Sequence, residues 1–509
     1  MNKLLLSLLL TLWLLQVASA SVLNRGNGSE PDSLNVHLAQ GLNSHQILRD
    51  VYEGLMTLDA QGKPVYGVAE KYHISADGSR WTFDLRRNAR WSDGSTVVAA
   101  DFVRSWQQAI LPQTAAPFSG IFDNIRKKDN PNELNVIAQG SHQLVIGLHT
   151  ADAGLLEKLT LPIFMPIPDS RESEPSEMIS NGAYKISQWV PQEKIVLQKN
   201  HTFHQADSVF FSEVVYWVTE EQSSELKRFR AGELDITETI PDNHIDWLRA
   251  NMKDELHIHP YQGVFFLGLN NQSSPLDNVL FRQALSAAID RNILVEKVLK
   301  TNQIPALNLI PPNMYDQHLP WPREMSADPE KAKALLQKSG VNAFDLELEL
   351  LYNSSENQRK VALAVAAMWR QNLGIRARLR NQEWKVFVSA RRSPERQVFR
   401  SGWIADYSDP LTFLELLQSD GLFNFYRYQD NTYDQWINQA RFMQDPVKRA
   451  ALMDLAEKKL FDQMPVIPLY FYVSRHLVAD DILGYVDNIS DRHLSRYLSR
   501  KSEQKKTGD

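Results

Sequence analysis

Hydrophobic positions in this chain change period several times, and the changes mark out its elements. Val22 to Asn24 reads as a short strand entering the glycine-rich turn Arg25–Ser29, and Ile47, Val51 and Leu55 then recur at helical spacing. From Gly62 to Gly94 the period is two: Trp81, Phe83 and Leu85 alternate with Thr82 and Asp84, and Asp77-Gly78 and Asp93-Gly94 read as turns. Phe102, Trp106 and Ile110 line one side of a predicted helix, and Leu144, Ile146 and Leu148 return to a strand. A β-rich stretch opens at Asn181-Gly182 and continues through Ile195–Leu197 and Val214–Trp217. The helix Glu221–Ala231 follows, then a strand at Leu234–Ile236.

Beyond the buried strand Val264–Asn271 the character becomes α/β. Leu276–Ile289 reads as a helix, and Phe344, Leu346, Leu348 and Leu350 alternate as a strand. Ser355 is placed to cap a long helix that Gly374 ends, and Arg376–Leu379 gives the next strand. A strand–helix–strand unit of this kind needs its sheet covered on both faces. These changes divide the chain into 21–63 with 168–262 and 474–509 as a β-rich first lobe, 64–167 as an inserted block, and 263–473 as an α/β second lobe. The last strand, Val466–Val473, returns toward the first lobe, so the lobes are joined near Gln262 and Val473, where a hinge is expected.

Residues 1–20 read as a signal peptide: Lys3, a leucine-rich run from Leu4 to Leu15 too short to span a bilayer, and the cleavage pattern Ala18-Ser19-Ala20. No cysteine follows the cleavage pattern to carry a lipid, and no later stretch is apolar for long enough to cross a membrane. An exported, soluble, periplasmic product is the expectation. The 509 residues hold no cysteine, which excludes disulfides, thiolate catalysis and cysteine-ligated metals. A net charge of −6 argues against nucleic acid as a partner.

Chemistry concentrates in Arg400–Phe413, where one carboxylate, Asp406, stands between Trp403 and Tyr407. A carboxylate walled by aromatic rings suits an ammonium, because low dielectric strengthens the attraction. An Asp that only caps a turn before Pro410 gives the same pattern. Two histidines, His257 and His259, alternate along a strand and supply at most two metal ligands. No G-x-S-x-G or H-E-x-x-H element marks a hydrolase, although Glu383 with Asp406 and Asp409 offers carboxylates for acid–base work.

The segment Gly402-Trp-Ile-Ala-Asp-Tyr-Ser-Asp-Pro410 resembles the G-W-x-A-D-Y-x-(D/E)-P stretch of the periplasmic oligopeptide-binding family, the receptors of peptide ABC importers (extracellular solute-binding protein family 5). Leu23–Leu34, Trp81–Gly94, Asp101–Trp106, Asn181–Tyr184, Asn270-Asn271 and Asn381–Trp384 are similar to further family blocks, in order and over nearly the whole mature chain. The resemblance implies an α/β, two-lobed periplasmic-binding-protein fold (type II-like, cluster C) with an extra inserted domain, closing over an extended peptide. It implies no enzyme activity and no cofactor, a monomer, an oligopeptide ligand, and an inner-membrane ABC permease as partner.

By motif, Asp406 would pair with the peptide's α-ammonium, with Trp403 and Tyr407 flanking it. Arg400 would meet a ligand carboxylate or orient Asp406, an internal ion pair being the alternative. Trp384 would wall a side-chain pocket. Gly402 and Ile404 would offer backbone groups to the peptide, as would Gln40, Gly41 and Leu42 from the other lobe. Phe118 would reach the cleft from the inserted block. Trp81, Trp91, Asp93 and Asn181-Gly182 are read as packing and turn residues.

The chain departs from the family pattern at Leu34–His37, where Leu-Asp-Pro is usual, and at Gly263 and Ile404, a cysteine pair in some members. Gln40 and Gly268 stand at acidic positions and Gln358 at a histidine, so a lower preference for lysine-containing peptides is expected. Arg391 and Arg392 suit an acidic side chain or a murein tripeptide. The same pair on a solvated surface would carry no such meaning.

Overall fold

The computed structural model describes residues 21–127, 129–152, 154–169, 178–315, 319, 328–344, 346–405 and 407–501. The proposed signal peptide and Asp406 therefore lie outside the described residues. Strand β1 (Val22–Gly28) is followed by the helix Leu42–Val51, whose Ile47, Leu48 and Val51 are buried. The helix ends there because Tyr52 is extended, so Leu55 joins the core from beyond the helix rather than from its face. Asn35 builds the turn at the departing Leu34–His37 segment: its side chain accepts from the His37 amide at 2.9 Å, and its carbonyl from Leu38 and Ala39 at 3.0 Å.

β2 (Met56–Leu58) and β3 (Pro64–Tyr66) form a hairpin. β4 (Ala69–Ile74), β5 (Arg80–Leu85), β6 (Val136–Ala138) and β7 (Gln143–Gly147) make an antiparallel sheet in the order β4-β5-β7-β6. The period-two reading of Trp81, Phe83 and Leu85 holds, since all three are buried on one face of β5. The helix Ala99–Ala109 packs Phe102 and Trp106 on this sheet, and Trp106 Nε1 donates to the Phe164 carbonyl at 2.8 Å. Asp101 accepts from the Val98 amide at 2.9 Å and from Trp91 Nε1 at 3.1 Å, and Asp93 from the Ser95 amide at 2.8 Å. These residues build the fold, as the sequence reading has it. One apolar core runs from Leu23 and Val51 through Phe102 and Phe164 to Tyr216.

β8 (Tyr184–Val190), β9 (Lys194–Lys199) and β10 (Glu213–Val218) return the chain to β1 in a sheet of order β1-β10-β9-β8, with β1 and β10 parallel. The helix Gln222–Arg230 ends before Gly232. The strand expected at Leu234–Ile236 is absent among the described residues. Leu234 and Ile236 are buried, but only Ile236 forms bridges, a parallel one to Arg25 and an antiparallel one to Val478, so the pairing stops at single residues and no ladder forms.

The second lobe is one six-stranded sheet of order β12-β16-β11-β15-β13-β14, built from β11 (Leu256–Leu269), β12 (Ile304–Pro305), β13 (Glu347–Asn353), β14 (Arg376–Gln382), β15 (Val398–Ile404) and β16 (Val466–Leu477). Helices cover both faces, each over its own apolar cluster, as the parallel β13–β14 pair requires. The connecting helix Glu356–Leu373 is capped by Ser355 and stopped by Gly374 in the left-handed region, as expected. Two boundaries differ. Phe344 is 85% exposed and precedes β13, because the Asn342 side chain turns the chain at its amide. The predicted helix over 276–289 forms only at Val279–Ala287, since Asn278 caps it at Phe281.

β11 and β16 are long enough to leave the second lobe and enter the first. Their register slips between the pairs Pro260–Val473 and Val264–Phe471. Beyond it the C-terminal segment is tied into the first lobe. Arg496 meets Glu53 at 2.6 Å, Arg25 donates to the His493 carbonyl at 2.7 Å, and Arg500 pairs with Asp235. Glu53 also accepts from His204 at 2.7 Å. Burial raises the Glu53 pKa, but His204 and Arg496 outweigh it and hold the carboxyl below its usual range.

Candidate functional site

Between the lobes lies a cleft of about 1710 Å³, including its solvent-open part. The first lobe contributes Gln40, Gly41 and Leu42 at the start of the helix Leu42–Val51, and the inserted block contributes Phe118. The second lobe contributes Trp384, Arg391 and the run Arg400–Ile404 of β15. Nine of the eleven residues assigned to the peptide site by motif thus meet here: Gln40, Gly41, Leu42, Phe118, Trp384, Arg400, Gly402, Trp403 and Ile404. Tyr407 lines an adjoining hollow instead, with Lys158 Nζ 4.6 Å from its ring centroid.

β15 gives the cleft its main chemical feature. On one side it pairs with β11 over its whole length, from Val398–Leu269 to Ile404–Gly263. On the other, its parallel ladder to β13 covers only Val398 and Phe399. From Arg400 to Ile404 that edge faces the cleft with no described strand against it. An unpaired edge is a template for an added strand. Gly263 and Ile404 face each other in the β11–β15 ladder, and a Cβ on Gly263 would stand 2.8 Å from Ile404 Cγ1. The isoleucine fills the space a second side chain would need, which accounts physically for the joint change at these positions.

Across the cleft, the amides of Gln40 and Gly41 already donate to Asp32 at 2.8 and 2.9 Å. The Gly41 carbonyl is engaged as well, accepting from the Ser44 and His45 amides at 3.1 and 3.0 Å.

Phe118, Trp403 and Phe423 form a wall joining the inserted block to the second lobe, with centroids 4.8 to 6.3 Å apart. Trp403 Nε1 donates to Thr412 Oγ1 at 3.1 Å, which fixes the ring. Trp384 is set by the cap of its helix Trp384–Ala390, where Glu383 accepts from the Lys385 and Val386 amides. Glu383 is thus a capping residue. Asp409 is held by Arg449 at 2.7 Å and accepts from the Leu411 amide at 2.9 Å. Both carboxylates considered from sequence for acid–base work thus have partners within the fold.

Arg400 donates from Nε to Asn353 Oδ1 at 2.8 Å and lies 5.4 Å from the Trp384 ring, with no ion-pair partner among the described residues. Arg391 stands over Phe425 at 4.5 Å, and its Nε is buried with no hydrogen-bond acceptor among the described residues. Burial lowers its pKa to about 10, and neighbouring Arg400 and Arg392 push the same way. Arg392 reaches across to Gln40 Oε1 at 3.0 Å. Among the described residues, neither the Arg391 nor the Arg400 guanidinium has an ion-pair partner.

The floor was not legible in the sequence. Glu220, Glu238, His476 and Asp491 line it, so the cleft is less poor in acids than the substitutions at Gln40 and Gly268 suggest. Asp491 accepts from His476 Nε2 and His493 Nε2, each at 3.0 Å. His257 and His259 make no pair: His257 meets Asp487 at 3.1 Å, and His259 its neighbouring Pro260 carbonyl at 2.9 Å.

Burial alone lowers the His476 pKa, but the Asp491 charge and hydrogen bond raise it to about 9 from 6.5. Asp491 is held well below the carboxylate range against its own burial, by His476 and His493. A histidine pKa raised by folding stabilises fully below pH 6.5, and that contribution is lost as pH rises through 9. The predicted loss is about 3 kcal/mol. Urea midpoints measured from pH 6.5 to 9 will fall more steeply for the parent than for His476→Gln. Equal slopes would remove this role, since other groups titrating in the window are common to both proteins.

The family profile of bacterial extracellular solute-binding proteins, family 5 Middle, matches residues 63–425. The chain belongs to that family. It is 34% identical over 506 residues to the periplasmic oligopeptide-binding protein OppA of Salmonella typhimurium, covering 94% of this chain and 93% of the relative. Among solved structures, Haemophilus influenzae OppA in complex with RPPGFSPFR has a TM-score of 0.90 at 29% identity, covering 95% of this chain and 99% of that one. The murein tripeptide binding protein MppA of Escherichia coli has a TM-score of 0.91 at 34% identity, with coverages of 95% and 99%.

The two-lobed fold of the family is the fold seen here. MppA in its unliganded open form matches at only 0.66, covering 95% of this chain and 98% of that one. This chain is therefore in a closed arrangement, and its inter-lobe contacts agree. Gln222 Nε2 donates to Ser355 Oγ at 3.0 Å, the Asp242 amide to Asn357 Oδ1 at 3.0 Å, and the Ser408 amide to Glu157 Oε2 at 2.6 Å. No helix among the described residues is long and apolar enough to cross a membrane.

Proposed function

We propose that the protein is a periplasmic receptor that closes its two lobes over an extended oligopeptide and delivers it to an inner-membrane ABC permease. The observation that carries this reading is the unpaired edge of β15 from Arg400 to Ile404, facing a cleft wide enough for a peptide chain. Main-chain hydrogen bonds along such an edge are common to all peptides, and bridging waters accommodate varied side chains. Asp406 takes the α-ammonium, with Trp403 beside it, and Arg400 takes a ligand carboxylate. Residues 1–20 direct export and are then removed. The mature chain is an unlipidated monomer without a cofactor or chemistry of its own. Contacts made only in the closed arrangement couple ligand to closure, since a ligand shifts an equilibrium only by its differential affinity.

Arg391 favours a second reading, a receptor dedicated to acidic peptides such as the murein tripeptide. Its unaccepted Nε beside Arg400 suits a side-chain carboxylate, because a charge-assisted pair is among the stronger hydrogen bonds. Native mass spectrometry of the mature protein taken from periplasm separates the readings. A ladder of added peptide masses, kept in Arg391→Met, supports the broad receptor. A single added mass, lost in Arg391→Met, supports the dedicated one. A protein that arrives bare and ignores a peptide library would overturn both.

A further inference from the structure

We propose that His476, Asp491 and His493 form a site for a divalent cation of the zinc class at the floor of the first lobe. Their donor atoms lie within 4.8 Å of one another, and both imidazole Nε2 atoms approach Asp491 Oδ1 at 3.0 Å. A tetrahedral shell with bonds of about 2.1 Å has edges of about 3.4 Å, so small side-chain adjustments admit the ion. Two imidazoles with one carboxylate suit zinc, whereas magnesium and calcium favour oxygen ligands.

The surroundings aim the donors. His476 Nδ1 lies 3.0 Å from the Thr237 carbonyl, which can only accept, so the Nδ1 proton is fixed and Nε2 is turned toward Asp491; the Nε2 proton shared with Asp491 is released to solvent when the ion binds. This is the outer-shell contact that orients a ligating histidine. The His493 ring is stacked on Tyr485 at 4.1 Å. Asp491 has φ 50°, a left-handed conformation unusual for a non-glycine residue, and it directs the carboxylate between the two rings.

Three arginines, Arg25, Arg49 and Arg492, line the same cavity, and a cation must be held against them by Asp491 and Glu238. The Arg25 guanidinium is committed to the His493 carbonyl and Ser495 Oγ, and Arg492 donates to the Ala405 carbonyl at 3.3 Å. Glu238 also lines the cavity and has no hydrogen-bond or ion-pair partner for its carboxylate among the described residues. Three protein ligands leave a fourth position, and His476 and Asp491 also line the cleft. An ion here would tie the far end of β16 to the C-terminal loop, at the lining of the cleft.

The test uses the mature chain freed of metal by a chelator and dialysed against zinc chloride. One zinc ion per chain is expected, with affinity about tenfold or more weaker in His476→Gln and in His493→Gln. His257→Gln and His259→Gln, at the half-buried start of β11, should bind as the parent does. Cobalt(II) added to the unaltered protein should give the intense visible bands of a tetrahedral ion, a readout independent of any variant's folding. Zinc uptake unchanged in both triad variants, uptake lost with His257 or His259 instead, or a cobalt spectrum of the hydrated ion would each overturn the site.

Discussion

Asp406→Asn lowers the affinity for a short peptide with a free amino terminus about a hundredfold. Truncating one partner of a desolvated charge pair costs about 2–5 kcal/mol, and about 3 kcal/mol corresponds to that factor. Asp406 itself is outside the described residues, but its surroundings are set on both sides. The Ala405 amide donates to the Gln262 carbonyl at 2.8 Å, and the Ser408 amide is bound by Glu157 across the cleft. Trp403 is locked to Thr412, and Tyr407 carries Lys158 over its ring. Calorimetric titration should show that N-acetylation of the peptide costs the parent as much as the substitution does, and that it costs Asp406→Asn little more. Equal binding of free and acetylated peptides by the parent would sink the ammonium assignment and leave Asp406 as a turn residue before Pro410.

The parts legible in the sequence are those governed by local periodicity. Trp81, Phe83 and Leu85 announce β5 because alternate residues of a strand share one face, and Ser355 with Gly374 announces a helix because its ends need partners. The cleft wall was legible for a different reason: Arg400, Gly402, Trp403 and Ile404 lie close together on one strand, so a short motif carries them together. The floor has no such signal. His476 and Asp491 are 15 residues apart, and the Arg25 contact to His493 spans 468 positions, so only the return of β16 into the first lobe unites them. Leu234–Ile236 failed as a strand for the converse reason. Its alternation reflects real burial, but the backbone finds only isolated bridges.

Gly182→Ala should destabilise the protein by about 3 kcal/mol or more while leaving peptide affinity intact in the folded fraction. A Cβ at Gly182 would stand 2.6 Å from the Asp50 carbonyl oxygen and from the Val51 carbonyl carbon and oxygen. All three are backbone atoms, so no side-chain rotation relieves the contact. The Gly182 amide donates to the Val51 carbonyl at 2.8 Å, and Asn181 binds the Glu53 backbone at both its amide and its carbonyl. Moving this turn therefore pulls on the end of the helix Leu42–Val51 and on Glu53, which holds His204 and Arg496 in the interior. Urea denaturation paired with calorimetric titration separates the outcomes. A loss below about 1 kcal/mol would mean that the backbone yields more easily than close packing allows. Weakened binding at unchanged stability would move Asn181-Gly182 from the fold into the binding site, against the reading that both sequence and structure support.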